Sequence, residues 1–90
     1  IYIDQLPTTL KQLRELLAQG EGPQFGKLAH RLKGESGAVS LKTAWDLAYT
    51  MEKAGKENRL SDIDEPFKQF ETLAPTFEAE LRKYMETLGT

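Results

Sequence analysis

The spacing of the apolar residues constrains the fold of this chain more than any other feature, because they recur every three or four positions. Such spacing places apolar side chains on one face of a helix, and no segment shows the strict alternation typical of a strand. Glycine and proline divide the pattern into four segments. Ninety residues leave room for a single core. The sequence therefore predicts an all-α fold, an antiparallel up-down-up-down four-helix bundle.

The first two predicted helices meet at a glycine- and proline-rich turn. The first helix starts at Pro7, which two threonines follow, and ends at Gly20. The second opens at Pro23 and fades between Ala38 and Ser40. Their apolar stripes are Leu6, Leu10, Leu13, Leu16 and Leu17, and then Phe25, Leu28, Ala29 and Leu32.

The third and fourth predicted helices have equally regular stripes. Ser40 is a candidate N-cap of the third helix, and Gly55 with the polar run after it ends that helix. Asp64 caps the fourth helix, and Pro75 is expected to kink that helix or to split it in two. The stripes are Leu41, Ala44, Trp45, Ala48 and Met51, and then Phe67, Phe70, Ala74, Phe77, Leu81, Tyr84, Met85 and Leu88.

Composition excludes several classes of function. The chain has no cysteine, and one histidine with scattered carboxylates makes no metal site. Its net charge of −2, with the two signs interspersed, argues against nucleic acid as a partner. No apolar run is long enough to cross a membrane, and we expect a cytoplasmic location without membrane contact. Because the sequence opens on Ile1, we expect residues 1–90 to be one domain cut from a longer protein.

The second helix carries the only histidine, His30, away from its apolar stripe. At about 100° per residue, His30 lies roughly 140° from Phe25, with Gly34, Gly37 and Gly26 within roughly 40° of it. A mid-helix glycine costs about 1 kcal/mol relative to alanine. Residues without side chains would let another protein's backbone approach the imidazole closely. Two alternatives stay open: the glycines merely end the helix, and the histidine is an ordinary surface residue.

Glu52 is the second polar residue of interest. On the third helix it projects within roughly 40° of Trp45 and Ala48, at the edge of the apolar stripe. A carboxylate in that position needs a partner. The residues alone leave open a surface glutamate with a partly buried stem, or an ion pair with Lys53 or Lys56.

Two segments of the chain resemble a known family. The segment Leu28–Gly37, LAHRLKGESG, resembles the signature of histidine-containing phosphotransfer (HPt) domains, in which the phospho-accepting histidine precedes an apolar residue, lysine, glycine and small residues. The segment 47–52, LAYTME, is similar to the family's third-helix segment. The resemblance covers the whole chain. It departs at Ser40, where glycine is common, and at Ala44, where leucine is common and neighbouring Trp45 is expected to fill the gap.

The resemblance implies a phosphorelay intermediate. His30 would accept a phosphoryl group from a receiver-domain aspartate and pass it to another receiver aspartate. Neutral imidazole is a good nucleophile near neutral pH. Lys33, one turn along, would neutralise charge on the phosphoryl oxygens. Glu52 matches the family position whose side chain can hydrogen-bond the ring nitrogen that is not phosphorylated, and so orients the imidazole.

Partners and cofactors follow from the same resemblance. The receiver domain would bind at Gly34 and Gly37, with Arg31 and Lys27 as basic contact residues. Basic residues are also common on solvated helix faces that bind nothing. No glycine-rich phosphate loop is present, so we expect no ATP binding and no kinase activity of the domain's own. It needs no cofactor, and Mg²⁺ is expected in the receiver. We expect the isolated domain to be a monomer. We also expect it to belong to the cytosolic part of a sensor histidine kinase.

Three other functions are alternatives to this one. The dimerisation domain of a histidine kinase usually has an acid after the histidine and a proline further on, whereas Arg31 and no nearby proline follow here. The phosphotransfer domain of chemotaxis kinases shares the local signature, but its donor is ATP held by another domain. A purely structural helical adaptor, with an incidental His30, is the third.

Overall fold

Four α-helices make up most of the chain in a computed structural model, which describes residues 2–39 and 41–89. Side chains are described for residues 5–39, 41–83 and 86. The helices are α1 (Tyr2–Ala18), α2 (Gly22–Ala38), α3 (Lys42–Lys56) and α4 (Asp64–Gly89), and one 3₁₀ turn, Leu60–Asp62, precedes α4. The described residues contain no strand, and the predicted all-α fold is confirmed.

The helices close into a ring around one core. Each packs against its neighbours in sequence, and α1 also packs against α4, where Arg14 pairs with Glu71. Short connections make successive helices antiparallel. The most extensive contact is between α2 and α3. The predicted four-helix bundle is therefore confirmed. No helix in the described part of the chain is both long and apolar enough to cross a membrane.

The core consists mainly of the predicted stripes. Phe25 meets Phe67 edge-on with ring centroids 5.9 Å apart, and Phe70 meets Phe77 at 5.2 Å. Ile63, just before α4, is a buried residue that the stripes do not include. The other buried apolar residues are Leu6, Leu13, Ala29, Leu32, Leu41, Ala44, Ala48, Met51, Ala54, Ala74 and Leu81. The predicted core side chains of Tyr84, Met85 and Leu88 lie outside the described residues.

Trp45 does not fill the core as predicted. Its side chain is exposed and stacks on Tyr49, one turn along α3, with ring centroids 5.5 Å apart. Ala44, the preceding residue, is completely buried. Adjacent helical residues point about 100° apart, so the helix face that buries Ala44 leaves Trp45 at the rim. The expectation that Trp45 fills the space beside Ala44 is therefore wrong.

The first helix begins earlier than predicted. It starts at Tyr2, so Pro7 lies inside it and is not its first residue. Leu6 is almost completely buried, and a helix that began at Pro7 would not hold this side chain against the core. The predicted end is confirmed, since α1 stops at Ala18 and Gly20 turns the chain with a left-handed φ of 73°. α2 starts at Gly22, with proline in its first turn, and ends at Ala38 as predicted.

The boundaries of the other helices differ in detail. The helix α4 begins at Asp64 and runs through Pro75 without being split, because buried residues on both sides hold it against the core. A kink there stays a prediction. The candidate N-cap Ser40 lies outside the described residues. Leu41 occupies the N-cap position of α3 and makes no side-chain capping bond.

Gly55 lies inside α3, at its closest approach to α2, and does not end the helix. A Cβ on Gly55 would stand 2.7 Å from the nitrogen of Gly26 and 2.8 Å from the oxygen of Gly22. Those distances leave no room for a side chain, so the two backbones pack directly on each other. Gly26 is buried in this contact. The helical projection places it among the exposed glycines around His30, and that prediction is wrong. The contact lies one turn from His30 on α2.

Candidate functional site

His30 lies on the solvent side of α2, as its helical projection predicts. Its side chain is 61% exposed. Its Nδ1 is 2.7 Å from Oε2 of Glu52, and its Nε2 makes no hydrogen bond to the described residues. A carboxylate only accepts hydrogen bonds, so Nδ1 carries the hydrogen. In the neutral ring, Nε2 therefore keeps its lone pair free for a reacting group.

Glu52 connects the imidazole to two lysines. Its side chain is only 7% exposed, which agrees with its predicted place at the edge of the apolar stripe. Its Oε2 also accepts a hydrogen bond from Nζ of Lys56 at 2.7 Å. Its Oε1 lies 2.8 Å from Nζ of Lys33, but that approach is poorly aligned for a hydrogen bond and is best described as an ion pair. One buried carboxylate thus contacts the imidazole and two lysine ammonium groups.

The surroundings of Glu52 lower the pKa of its carboxyl group. Burial by itself would raise the pKa of the carboxyl group, because it disfavours the charged form. The contacts with Lys33, Lys56 and His30 outweigh burial and lower the pKa from 4.5 to about 2. Glu52 is therefore a carboxylate at neutral pH and is a steady acceptor for Nδ1–H.

Lys33 pairs with Glu52 and also lies over two aromatic rings. Its side chain is 19% exposed, and its ammonium lies 5.7 Å from the ring centre of Trp45 and 5.3 Å from that of Tyr49. A cation over aromatic faces is attracted by their electron density. Lys33 and the imidazole thus contact different oxygens of the same carboxylate, that of Glu52.

The comparisons with known proteins place this site in a family. The family model described as the Hpt domain matches residues 1–90, the whole chain. This chain belongs to the HPt domain family. HPt domains transfer phosphoryl groups on a histidine in the phosphorelays of two-component signalling, and they interact with receiver domains. No curated protein and no solved structure matched the chain.

The two exposed glycines of α2 in this HPt domain have different surroundings. A Cβ on Gly34 would meet no atom within 4 Å. A Cβ on Gly37 would lie 3.0 Å from Cδ1 of Trp45. Open space next to His30 is therefore found at Gly34, whereas Gly37 supports the indole that covers Lys33. Their role in partner binding stays a prediction.

Two basic residues predicted to contact a partner lie on the α1 side of the HPt domain. Lys27 and Arg31 are exposed and line an open groove between α1 and α2. Arg31 lies 3.7 Å from Glu35 in a weak surface ion pair. Neither contacts Glu52. Their docking role stays a prediction as well.

The sequence indicates Lys56 only as an alternative ion-pair partner for Glu52. In the HPt domain it contacts Glu52 together with His30, so the two interpretations are not exclusive. Its spacing of four residues from Glu52 is the signal that indicates the pair. No group of three or more acidic or histidine side chains in the described part of the chain could hold a metal ion.

Proposed function

We propose that this HPt domain carries phosphoryl groups between the aspartates of receiver domains, with Nε2 of His30 as the nucleophile. One observation supports this most: Nδ1 of an exposed histidine is held by a buried carboxylate, while Nε2 is free. That arrangement fixes the tautomer with its lone pair on Nε2. It leaves the reacting nitrogen on the side open to a partner.

The transfer exchanges one phosphorus bond for another. The lone pair of Nε2 attacks the phosphorus of an aspartyl phosphate, and the bond between phosphorus and the aspartate oxygen breaks. The aspartate leaves as a carboxylate, and Mg²⁺ held by the receiver would neutralise charge on the phosphoryl oxygens. The imidazole keeps the hydrogen on Nδ1 and donates it to Glu52, whose negative charge offsets the positive charge that forms on the ring. The reverse step, with a carboxylate oxygen as nucleophile, passes the group onward.

Lys33 adds a positive charge to this site. In the unphosphorylated domain its ammonium is paired with Glu52. We propose that it turns toward the phosphoryl oxygens during transfer, a short movement for a side chain one turn from His30. Lys56 would then keep Glu52 neutralised.

The proposal is tested by comparing donors. Purified domain is mixed with a phosphorylated receiver, or with labelled ATP and Mg²⁺ alone. We expect acid-labile, alkali-stable phosphate on His30 with the receiver and none with ATP. Labelling only when an ATP-binding kinase domain is added would favour a chemotaxis-type phosphotransfer domain. No labelling from any donor would favour a structural adaptor.

The parent protein is proposed to be a hybrid sensor histidine kinase that acts in the cytoplasm. This extends the family assignment, because a hybrid kinase supplies a receiver domain near its HPt domain. The lack of cysteine suits a reducing compartment. A receiver domain encoded upstream of this chain would support the proposal, and a free-standing coding sequence would contradict it.

A further inference from the structure

We propose that Lys56 is a positioning residue for phosphoryl transfer: it neutralises Glu52, so that the carboxylate orients His30 without drawing a second proton onto the ring. The inference rests on the proposed role of His30 as the phospho-acceptor. It assigns a function to a lysine whose side-chain contact is with Glu52.

Lys56 and His30 share one acceptor atom, Oε2 of Glu52. Nζ of Lys56 and Nδ1 of His30 each lie 2.7 Å from Oε2 of Glu52. The Lys56 side chain is 54% exposed, whereas the carboxylate is nearly buried. A lysine four residues from a glutamate usually forms a weak surface pair. Here the shared acceptor is buried and also contacts the reactive residue, so the pair affects more than stability.

A carboxylate beside an imidazole has two opposing effects. It fixes the tautomer, but its negative charge also favours the protonated ring. An imidazolium has hydrogens on both nitrogens and cannot attack phosphorus. Lys33 and Lys56 change the charge around the ring from −1 for Glu52 alone to +1 for the three side chains together. A positive environment disfavours a further proton on His30, while the hydrogen bond from Nδ1 remains.

The charged groups near the ring come from α2 and α3. On α2, Lys27 and Lys33 lie one turn to either side of His30, and Arg31 follows it directly. On α3, Glu52 and Lys56 form the contact, with the Tyr49 ring beside Lys33. No described residue of α1 or α4 makes an ion pair or hydrogen bond with His30 or Glu52. Lys56 is the only lysine of α3 that contacts Glu52, although Lys53 is also exposed.

Two lysines on the same helix provide the test. Lys56→Met removes the charge beside Glu52, Lys53→Met removes an exposed charge that does not contact it, and Lys56→Arg keeps the charge. His30 is the only histidine, so NMR follows its protonation without ambiguity. The rate of phosphorylation by phosphoramidate is measured across the same pH range, because this small donor needs no docking.

We expect Lys56→Met to raise the midpoint of the ring titration by about half a pH unit, as a unit charge roughly 5 Å away in a wet site would. Phosphorylation by phosphoramidate should fall about threefold on the acidic side of the measured midpoint, the factor that half a pH unit corresponds to, and should be the same in the two proteins well above it. Lys53→Met and Lys56→Arg should behave like the wild type. Lys56→Gln repeats the measurement if methionine lowers stability.

An unchanged midpoint in Lys56→Met and Lys56→Gln, or an equal shift in Lys53→Met, would overturn the inference. Failure of the proposed function has a different result. In that case the NMR midpoints shift as expected, yet phosphorylated receivers label neither the wild type nor the variants.

Discussion

At the residue scale, Gly34 and Gly37 lie on the same face of α2 but differ in what a side chain would meet. Gly34 faces open space beside His30, whereas the indole of Trp45 lies against Gly37. A methyl group at Gly34 gains helix propensity without a clash. The same group at Gly37 requires Trp45 to move.

We predict that Gly34→Ala raises the free energy of unfolding by up to about 1 kcal/mol. Gly37→Ala should gain less, because the Cβ would stand 3.0 Å from the Trp45 ring. Gly34→Gln should keep the fold, reduce transfer from a receiver and leave phosphorylation by phosphoramidate unchanged. The measurements are thermal unfolding and labelling by the two donors. Equal losses with both donors would mean that Gly34 does not serve partner access.

We predict that Lys33→Met slows transfer within the docked complex by about ten- to a hundredfold, while receiver affinity changes little. Methionine retains much of the packing against Trp45 and Tyr49 but removes the charge. Single-turnover rates at saturating receiver measure the effect, with Lys42→Met, which removes an exposed lysine paired with Asp46, as the control. A loss of affinity with an unchanged rate would make Lys33 a docking residue.

The pKa of Glu52 leads to a prediction about stability and pH. Because its pKa is about 2 in the fold and 4.5 ordinarily, its contribution is complete above pH 4.5 and is lost as the pH falls from 4.5 to 2. The difference in free energy of unfolding between the wild type and Glu52→Gln should therefore shrink across that range. Chemical denaturation at a series of pH values measures it, with Glu80→Gln, at an exposed position, as control. A constant difference would contradict the prediction.

The sequence could indicate the edge position of Glu52 but not its partners. The projection along one helix places Glu52 beside the apolar stripe. Its contact with Lys56 follows from their spacing within α3. Its contacts with His30 and Lys33 cross to α2 and depend on the distance between two helices. Helical periodicity contains no information about that distance, so those contacts could be proposed only from family resemblance.

At the element scale, the direct backbone contact of α2 and α3 determines where the site forms. Gly22, Gly26 and Gly55 remove the side chains that would otherwise keep these helices apart. The site lies one turn from this contact on both helices, where His30 and Glu52 come within 2.7 Å. From helix propensity alone, Gly55 is predicted to end α3, because glycine disfavours the helical conformation. The close packing outweighs that preference, and such packing is not visible in one segment alone.

We predict that Gly55→Ala lowers the free energy of unfolding by about 1–3 kcal/mol, as overpacking of a core commonly does. The added Cβ would meet backbone atoms of Gly22 and Gly26, which cannot move aside as a side chain can. Denaturant unfolding measures the change, and Gly34→Ala, with the opposite expected sign, is the matched control. Unchanged stability in Gly55→Ala would show that the helices can separate without cost.

The prolines show the same limit of local rules. The sequence predicts that Pro7 begins one helix and that Pro75 kinks or splits another, whereas α1 runs through Pro7 and α4 is not split at Pro75. A proline removes one backbone hydrogen bond from a helix. Burial of Leu6 near Pro7, and of Ala74 and Phe77 around Pro75, offsets that loss. Such compensation appears only once the helices are packed together.

At the scale of the whole molecule, the bundle could be predicted because four apolar stripes in a short chain have few ways to close one core. The exposed face of α2 could be predicted for the same reason, since His30 points away from the stripe. The rim residue Trp45 could not, because an aromatic at the edge of a stripe packs either inward or onto a neighbour. Here Tyr49 provides that neighbour, and the stacked pair lies under Lys33.

The central claim is that His30 of this bundle carries the phosphoryl group. The most direct test mixes the wild type and His30→Gln with a phosphorylated receiver and measures acid-labile, alkali-stable phosphate on each. Because the His30 side chain is 61% exposed, His30→Gln should fold and unfold like the wild type. We predict rapid labelling of the wild type and none of the variant. Equal labelling of a folded His30→Gln would show that the phosphoryl group resides elsewhere and would contradict this account.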